Sequence, residues 1–247
     1  MTTSAKYEAG TLRFFDTSTF ETATKMSPIV YRDDFIGAGA QVIPAAGSAE
    51  SGVDWVKKLV QTVGTPTVAA VANAAGGKIA CALDATSEKQ DAVLYFGDKK
   101  AFSTLNGLVA EFVVDLTVLP SASGVQAVWG LASDWIDGPD NNTCYLQFGA
   151  TANGALLIRS FDGVTTKSVA SGVVVTAGVE HVYRIDATDT SDVKFFIDGA
   201  QVSTTGLVNF AATGTLAVLQ PYCAVYKTVS TGLATLGINS VKIFNGR

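Results

Sequence analysis

Several ingredients of familiar chemistry are scarce in this 247-residue chain. His181 is its one histidine, so any imidazole metal site or nucleophile–base pair must be built around that single ring. No Gly-x-Ser-x-Gly elbow, His-Glu-x-x-His pair or Gly-x-x-x-x-Gly-Lys-Ser/Thr loop occurs, which removes the motif-level signals for serine hydrolases, zincins and P-loop proteins. The three cysteines, Cys81, Cys144 and Cys223, are odd in number, widely spaced and without a Cys-x-x-Cys pair. They read as small buried hydrophobes of a protein made in a reducing cytoplasm. No apolar run is long enough to cross a bilayer. The N-terminus lacks a basic start followed by an apolar stretch, so no signal peptide is expected.

Charge is also sparse. Only 16% of residues are charged and the net charge is -5. The basic residues form no stripe; Lys57-Lys58 and Lys99-Lys100 are isolated pairs. Counterion release from nucleic acid needs clustered Lys and Arg, so nucleic acid is not an expected partner. With so few charges, the surface must be Thr, Ser, Ala and Gly, or be covered by another chain. Assembly is the favoured reading, and a wet Thr-rich β-surface is the other.

What is abundant is apolar alternation. Hydrophobic residues make up 48% of the chain, ample for a large core. From Tyr31 onward, strand-like runs alternate with turns. Strands are expected at 53–60, 67–72, 78–84, 91–97, 108–118, 125–131, 144–149, 154–161, 166–175, 180–187, 193–198, 215–226 and 236–244. In 180–187, Tyr183 and Ile185 alternate with Val182, Arg184 and Asp186; in 193–198, Val193, Phe195 and Ile197 alternate with Lys194, Phe196 and Asp198. Asp198-Gly199 and Asp162-Gly163 are the clearest hairpin turns, because Gly adopts positive φ without strain. No βα alternation appears, so the expected class is all-β: an antiparallel β-sandwich.

The order His181-Val-Tyr183-Arg-Ile185, a polar turn, then Val193-Lys-Phe-Phe-Ile-Asp198-Gly199 resembles the central hairpins of concanavalin A-like jelly rolls of the laminin G type. Tyr31-Arg-Asp-Asp-Phe35, Ala82-Leu-Asp-Ala-Thr-Ser-Glu88 and Val128-Trp-Gly-Leu-Ala132 give the chain a texture similar to bacteriophage head decoration proteins of that fold. The resemblance implies one jelly-roll domain over residues 31–247. It also implies a virion protein on the particle surface, with a major capsid protein as partner and a homo-oligomer, plausibly a trimer.

Residues 1–30 differ from the rest and read as an extended N-terminal arm. Ser18-Thr-Phe-Glu21 fits a capping box that would start a short helix. Leu12, Phe14, Phe15 and Phe20 are costly to leave in water, which makes them candidate contacts for a partner chain.

Candidate chemistry is thin. Glu111 and Asp115 lie four apart on one strand, about 13 Å at the usual rise, whereas retaining glycoside hydrolysis needs two carboxyls ~5 Å apart. They are expected on the solvent side of a strand whose inner face uses Phe112 and Val114. His181 starts a strand, which favours a structural role. The 133–142 loop is the best ligand candidate. Asp134, Asp137, Asp140 and Asn142 could offer calcium its oxygen ligands, and Trp135 with Tyr145 could meet a sugar. Turn propensity alone accounts for every residue of that loop, so no metal or cofactor is expected, with calcium as the second reading. The function expected from sequence is a non-enzymatic capsid decoration protein stabilising a shell, and the alternative is a carbohydrate- or receptor-binding module.

Overall fold

The computed structural model describes the backbone over residues 3–8, 11–16 and 29, and backbone with side chains over 30–36, 43–46 and 55–246. Among the described residues there is no α-helix, only strands and short 3-10 turns. All thirteen expected strands are present within a few residues of their expected bounds. The strands are β1 (Thr3–Glu8), β2 (Thr11–Asp16), β3 (Ile29–Asp33), β4 (Val56–Gln61), β5 (Thr67–Ala70), β6 (Ile79–Ala82), β7 (Gln90–Tyr95), β8 (Phe102–Ser103) and β9 (Leu108–Val118). They continue with β10 (Val125–Ala132), β11 (Tyr145–Ala150), β12 (Ala155–Phe161), β13 (Thr166–Val174), β14 (Glu180–Ala187), β15 (Lys194–Ile197), β16 (Ala200–Gln201), β17 (Val218–Lys227) and β18 (Thr235–Asn245).

Two antiparallel sheets form the sandwich. Sheet I runs β13-β12-β11-β10-β17-β7-β4, with β8 also on β17; sheet II runs β16-β15-β14-β9-β18-β6-β5, with β3 also on β18. Their inner faces meet in one core. Trp129 of β10 and Phe148 of β11 stack at 6.2 Å, and Tyr183 of β14 meets Trp129 edge-on at 4.8 Å. Phe195 of β15 packs edge-on against Phe148 at 5.2 Å. Each such ring contributes roughly 1.5–3 kcal/mol on burial.

Local chemistry explains the turns. Asp198 and Gly199 both have positive φ, +49° and +82°, the geometry of a two-residue turn whose twist matches the strands. Ile197 is paired with Ala200 across it. Asp162 Oδ1 accepts from the amides of Val164 and Thr165, closing the β12–β13 connection.

Within the N-terminal segment, β1 and β2 pair as a hairpin, with Thr3 opposite Asp16 and Glu8 opposite Thr11. Leu12, Phe14 and Phe15 lie on β2; Phe20 and the Ser18–Glu21 capping box fall outside the described residues. β3, unexpected from the sequence, pairs with β18 from Ile29 onward.

Glu111 and Asp115 do lie opposite Phe112 and Val114, but they are buried, not solvated. Lys242 pairs with Glu111 at 3.3 Å and Lys78 with Asp115, and the lysine stems cover the carboxylates. His181 takes the expected structural place: Nδ1 hydrogen-bonds Asp198 Oδ2 at 2.7 Å, while Asp198 Oδ1 accepts from the Val182 amide at 2.9 Å.

Candidate functional site

An antiparallel sheet commonly keeps one face wet, which leaves alternate residues exposed. Sheet I breaks that pattern. Every residue of β7 and of β11 is buried, so along these two strands the outer face is covered as fully as the inner one, while the edge strand β13 stays largely exposed. The cover is the 133–142 loop that joins β10 to β11. Its Trp135 packs with the outer-face cluster of Val93, Tyr95, Val128, Tyr145 and Tyr222.

Strand register sets the layout beneath that roof. Tyr95, Tyr222, Gly130, Gln147 and Arg159 are consecutive cross-strand partners on β7, β17, β10, β11 and β12. They therefore form one row on the outer face, with neighbouring strands about 4.8 Å apart. Gly130 (φ +146°) has no side chain, and a Cβ there would collide with the Leu146 carbonyl. The row therefore carries no side chain between Tyr222 and Gln147. Gly149 makes a second allowance: a Cβ there would lie 2.6 Å from Arg159 Cδ, so its absence lets Arg159 lie down across the sheet.

The polar groups of this patch are buried and short of partners. Gln147 is fully buried, and among the described residues neither of its amide atoms has a hydrogen-bond partner. The Tyr222 hydroxyl, Asp91 Oδ1 and Asn142 Nδ2 are likewise unmatched. Asn142 lies close enough to Tyr222 to favour its ionised form slightly, yet neither group completes a hydrogen bond with the other. Buried polar atoms in folded proteins are nearly always satisfied by protein, ordered water or ligand. Among the described residues, this is where unmatched side-chain atoms concentrate.

Electrostatics give the patch proton-carrying groups. Burial pushes Asp91 from 3.8 up to about 7, against the Trp135 indole and Gly138 amide that favour its charged form; Asp137 adds to the rise and Lys89 opposes it. Trp135 Nε1 donates to Asp91 Oδ2 at 3.1 Å. Burial raises Tyr222 well above the usual phenol value and Tyr95 to about 12, so both keep their protons at neutral pH. Burial lowers Arg159 to about 10, with Tyr222 opposing the shift, and it remains a cation. Its guanidinium lies 5.3 Å from the Tyr145 ring centre.

The roof is pinned at several points. Lys89 pairs with Asp137, Lys100 with Asp134 at 3.1 Å, and Arg159 with Asp140. Asn142 Oδ1 accepts from the Ile136 amide at 3.0 Å. The Trp135 amide donates to Asp98 Oδ1 at 2.7 Å, and Lys58 sits 4.7 Å from the Trp135 ring centre. Asp134, Asp137, Asp140 and Asn142 are thus drawn to different partners instead of converging. Among the described residues, no three His, Cys, Asp or Glu side chains gather as a metal would require. Trp135 and Tyr145, the residues expected to meet a sugar, do share this patch. Asp91, Gln147, Arg159 and Tyr222 were missed. Each sits in an apolar-looking strand; the strand register aligns Tyr222, Gln147 and Arg159, and Asp91, paired with Tyr226 further along β7, joins them only through Trp135 of the roof.

No protein-family description matches the chain, and no curated relative matches it. Solved structures do. A protein of unknown function from Shewanella oneidensis MR-1 superposes with a TM-score of 0.60 at 13% identity, over 93% of this chain and 91% of that one. A beta-1,3-glucanase from Mycobacterium marinum gives 0.55 at 15% identity, over 86% and 97%. An endo-beta-1,4-glucuronan lyase from Trichoderma reesei gives 0.55 at 12% identity, over 87% and 94%. The fold is a concanavalin A-like jelly roll. The finer likeness to phage decoration proteins finds no support among these neighbours. Two of the three are enzymes of carbohydrate chains by name, which overturns the expectation of a non-enzymatic capsid protein.

Proposed function

We propose that this protein binds a polysaccharide on the outer face of sheet I, beneath the 133–142 loop, and acts on it there. One observation carries the reading: Gln147, Tyr222, Asp91 and Asn142 present buried, unmatched donors and acceptors in a single patch, flanked by Trp135 and Tyr145. A sugar ring offers what such a patch wants. Its hydroxyls both donate and accept, suiting amides and carboxyls, while its C–H faces suit aromatic rings. The kinship of fold with a glucanase and a glucuronan lyase agrees with this ligand class.

The same groups suit bond cleavage. Breaking a glycosidic bond, by water or by elimination, requires a proton for the departing oxygen. A carboxyl near pH 7, as Asp91 is, carries that proton and can release it. Tyr222 stays protonated and donates a hydrogen bond to developing negative charge. Trp135 holds Asp91 in place through its indole.

A panel of purified polysaccharides tests this. Affinity is measured by calorimetry, and cleavage by new reducing ends and by the ultraviolet absorbance of unsaturated ends. Wild type should bind at least one member, and Gln147→Ala should weaken that binding about tenfold or more, the loss of one to two buried hydrogen bonds. Asp91→Asn should retain binding and lose turnover. A protein that binds nothing in the panel, or binds equally well without Gln147, would sink the proposal.

A further inference from the structure

Resting on that reading, we propose that the sugar taken here bears a carboxylate, and that Asp140 of the roof occupies the carboxylate's seat until the sugar displaces it. The seat is built from Arg159 and Gln126. Arg159 is almost wholly buried, held flat over Gly149 and against the Tyr145 ring. Its NH1 donates to Gln126 Oε1 at 3.3 Å. The two side chains grip one carboxylate: Arg159 NH2 pairs with Asp140 Oδ1, and Gln126 Nε2 donates to Asp140 Oδ2 at 2.9 Å. A guanidinium and an amide meeting the two oxygens of one group is a receptor with the geometry of a carboxylate.

The two halves of the pair are unlike. The Arg159 side chain is 6% exposed and the Asp140 side chain 57%. A buried cation on a strand is a fixed receptor; an exposed carboxylate on a loop is an exchangeable ligand. Removing the pair without replacement would leave Arg159 buried and unpaired, which is costly. The loop therefore opens most readily when another carboxylate takes over. Gln147 is the cross-strand neighbour of Arg159, so a sugar whose carboxylate reached Arg159 would bring its ring hydroxyls to the unmatched Gln147 amide.

The test uses alginate, polygalacturonate and glucuronan oligosaccharides, each beside its carboxyl-reduced form, titrated into wild type, Asp140→Asn and Arg159→Gln. At least one acidic form should bind wild type more tightly than its reduced form. Asp140→Asn, on the exposed side of the pair, frees the seat and should tighten that acidic form by roughly 3- to 10-fold, and more than it tightens the reduced form. Arg159→Gln should erase the preference, and thermal melting shows whether it is folded. Equal binding of acidic and reduced forms, or an acidic affinity that Asp140→Asn does not raise, would overturn the inference and leave the polysaccharide reading standing. Binding of neither form by any variant would overturn both.

Discussion

At the scale of single residues, Asp91 is the most consequential ionisable group. Its folded value, about 7, lies above its ordinary 3.8. The folded chain therefore holds a proton that the unfolded chain releases between those values, and stability must fall as pH rises through that window. The full cost above neutrality is on the order of 4 kcal/mol. The groups that face it are Asp137, Lys89, Trp135 and the Gly138 amide, and the Asp137–Lys89 pair keeps its own charges balanced. We expect the melting temperature to drop between about pH 4 and about pH 7, and Asp91→Asn to remove most of that slope. An unchanged slope in the variant would assign the pH dependence elsewhere. Nothing around Gln90-Asp91-Ala-Val-Leu-Tyr95 in the sequence marks this carboxyl as buried on both sides, because the roof that buries it comes from residues more than forty positions away. Lys227 was illegible for the same reason. It is fully buried, and its ammonium is consumed by three carbonyls, of Asp84, Thr86 and Gly232, at 2.5, 2.7 and 3.3 Å.

At the scale of elements, local rules were enough where the sheet obeyed them. Period-two alternation located β14 and β15 because Tyr183, Ile185, Phe195 and Ile197 face the core while their neighbours do not. Asp198-Gly199 was legible because its backbone demands a residue without a Cβ. A Cβ at Gly199 would touch nothing within 4 Å, so Gly199→Ala isolates the backbone term. It should cost about 1–2 kcal/mol, read as a lower denaturant midpoint with an unchanged slope. A cost near zero would mean that the turn does not hold positive φ in solution. The rules failed where the pattern was locally plain and the context was not. β8 and β16 are only two residues long, too short for any period to register. The acidic loop at 133–142 carries the composition of a turn or a calcium site. What it does in the fold is decided by Lys89, Lys100 and Arg159, three cations from separate parts of the chain.

At the scale of the whole molecule, sheet I is buried on both faces along β7 and β11, the two faces have opposite duties, and β11 shows both in adjacent residues. Phe148 points inward among Trp129, Tyr183 and Phe195; Gln147 points outward beneath the roof with its amide unmatched. Truncating each should therefore have different consequences. Phe148→Ala removes a ring from the seam between the sheets and should cost about 3–5 kcal/mol, since the surrounding rings cannot all move into the space. Gln147→Leu keeps nearly the same volume and removes a polar group whose desolvation is uncompensated. It should leave stability unchanged or raise it by about 1–2 kcal/mol, while abolishing polysaccharide binding. A residue that lowers stability and is required for binding is the signature of a site maintained for its ligand. Denaturant midpoints of the two variants, measured beside their glycan affinities, decide the point. If Gln147→Leu destabilised the chain as much as Phe148→Ala, the outer face of sheet I would be a second structural core, and the ligand would have to be sought elsewhere on the sandwich.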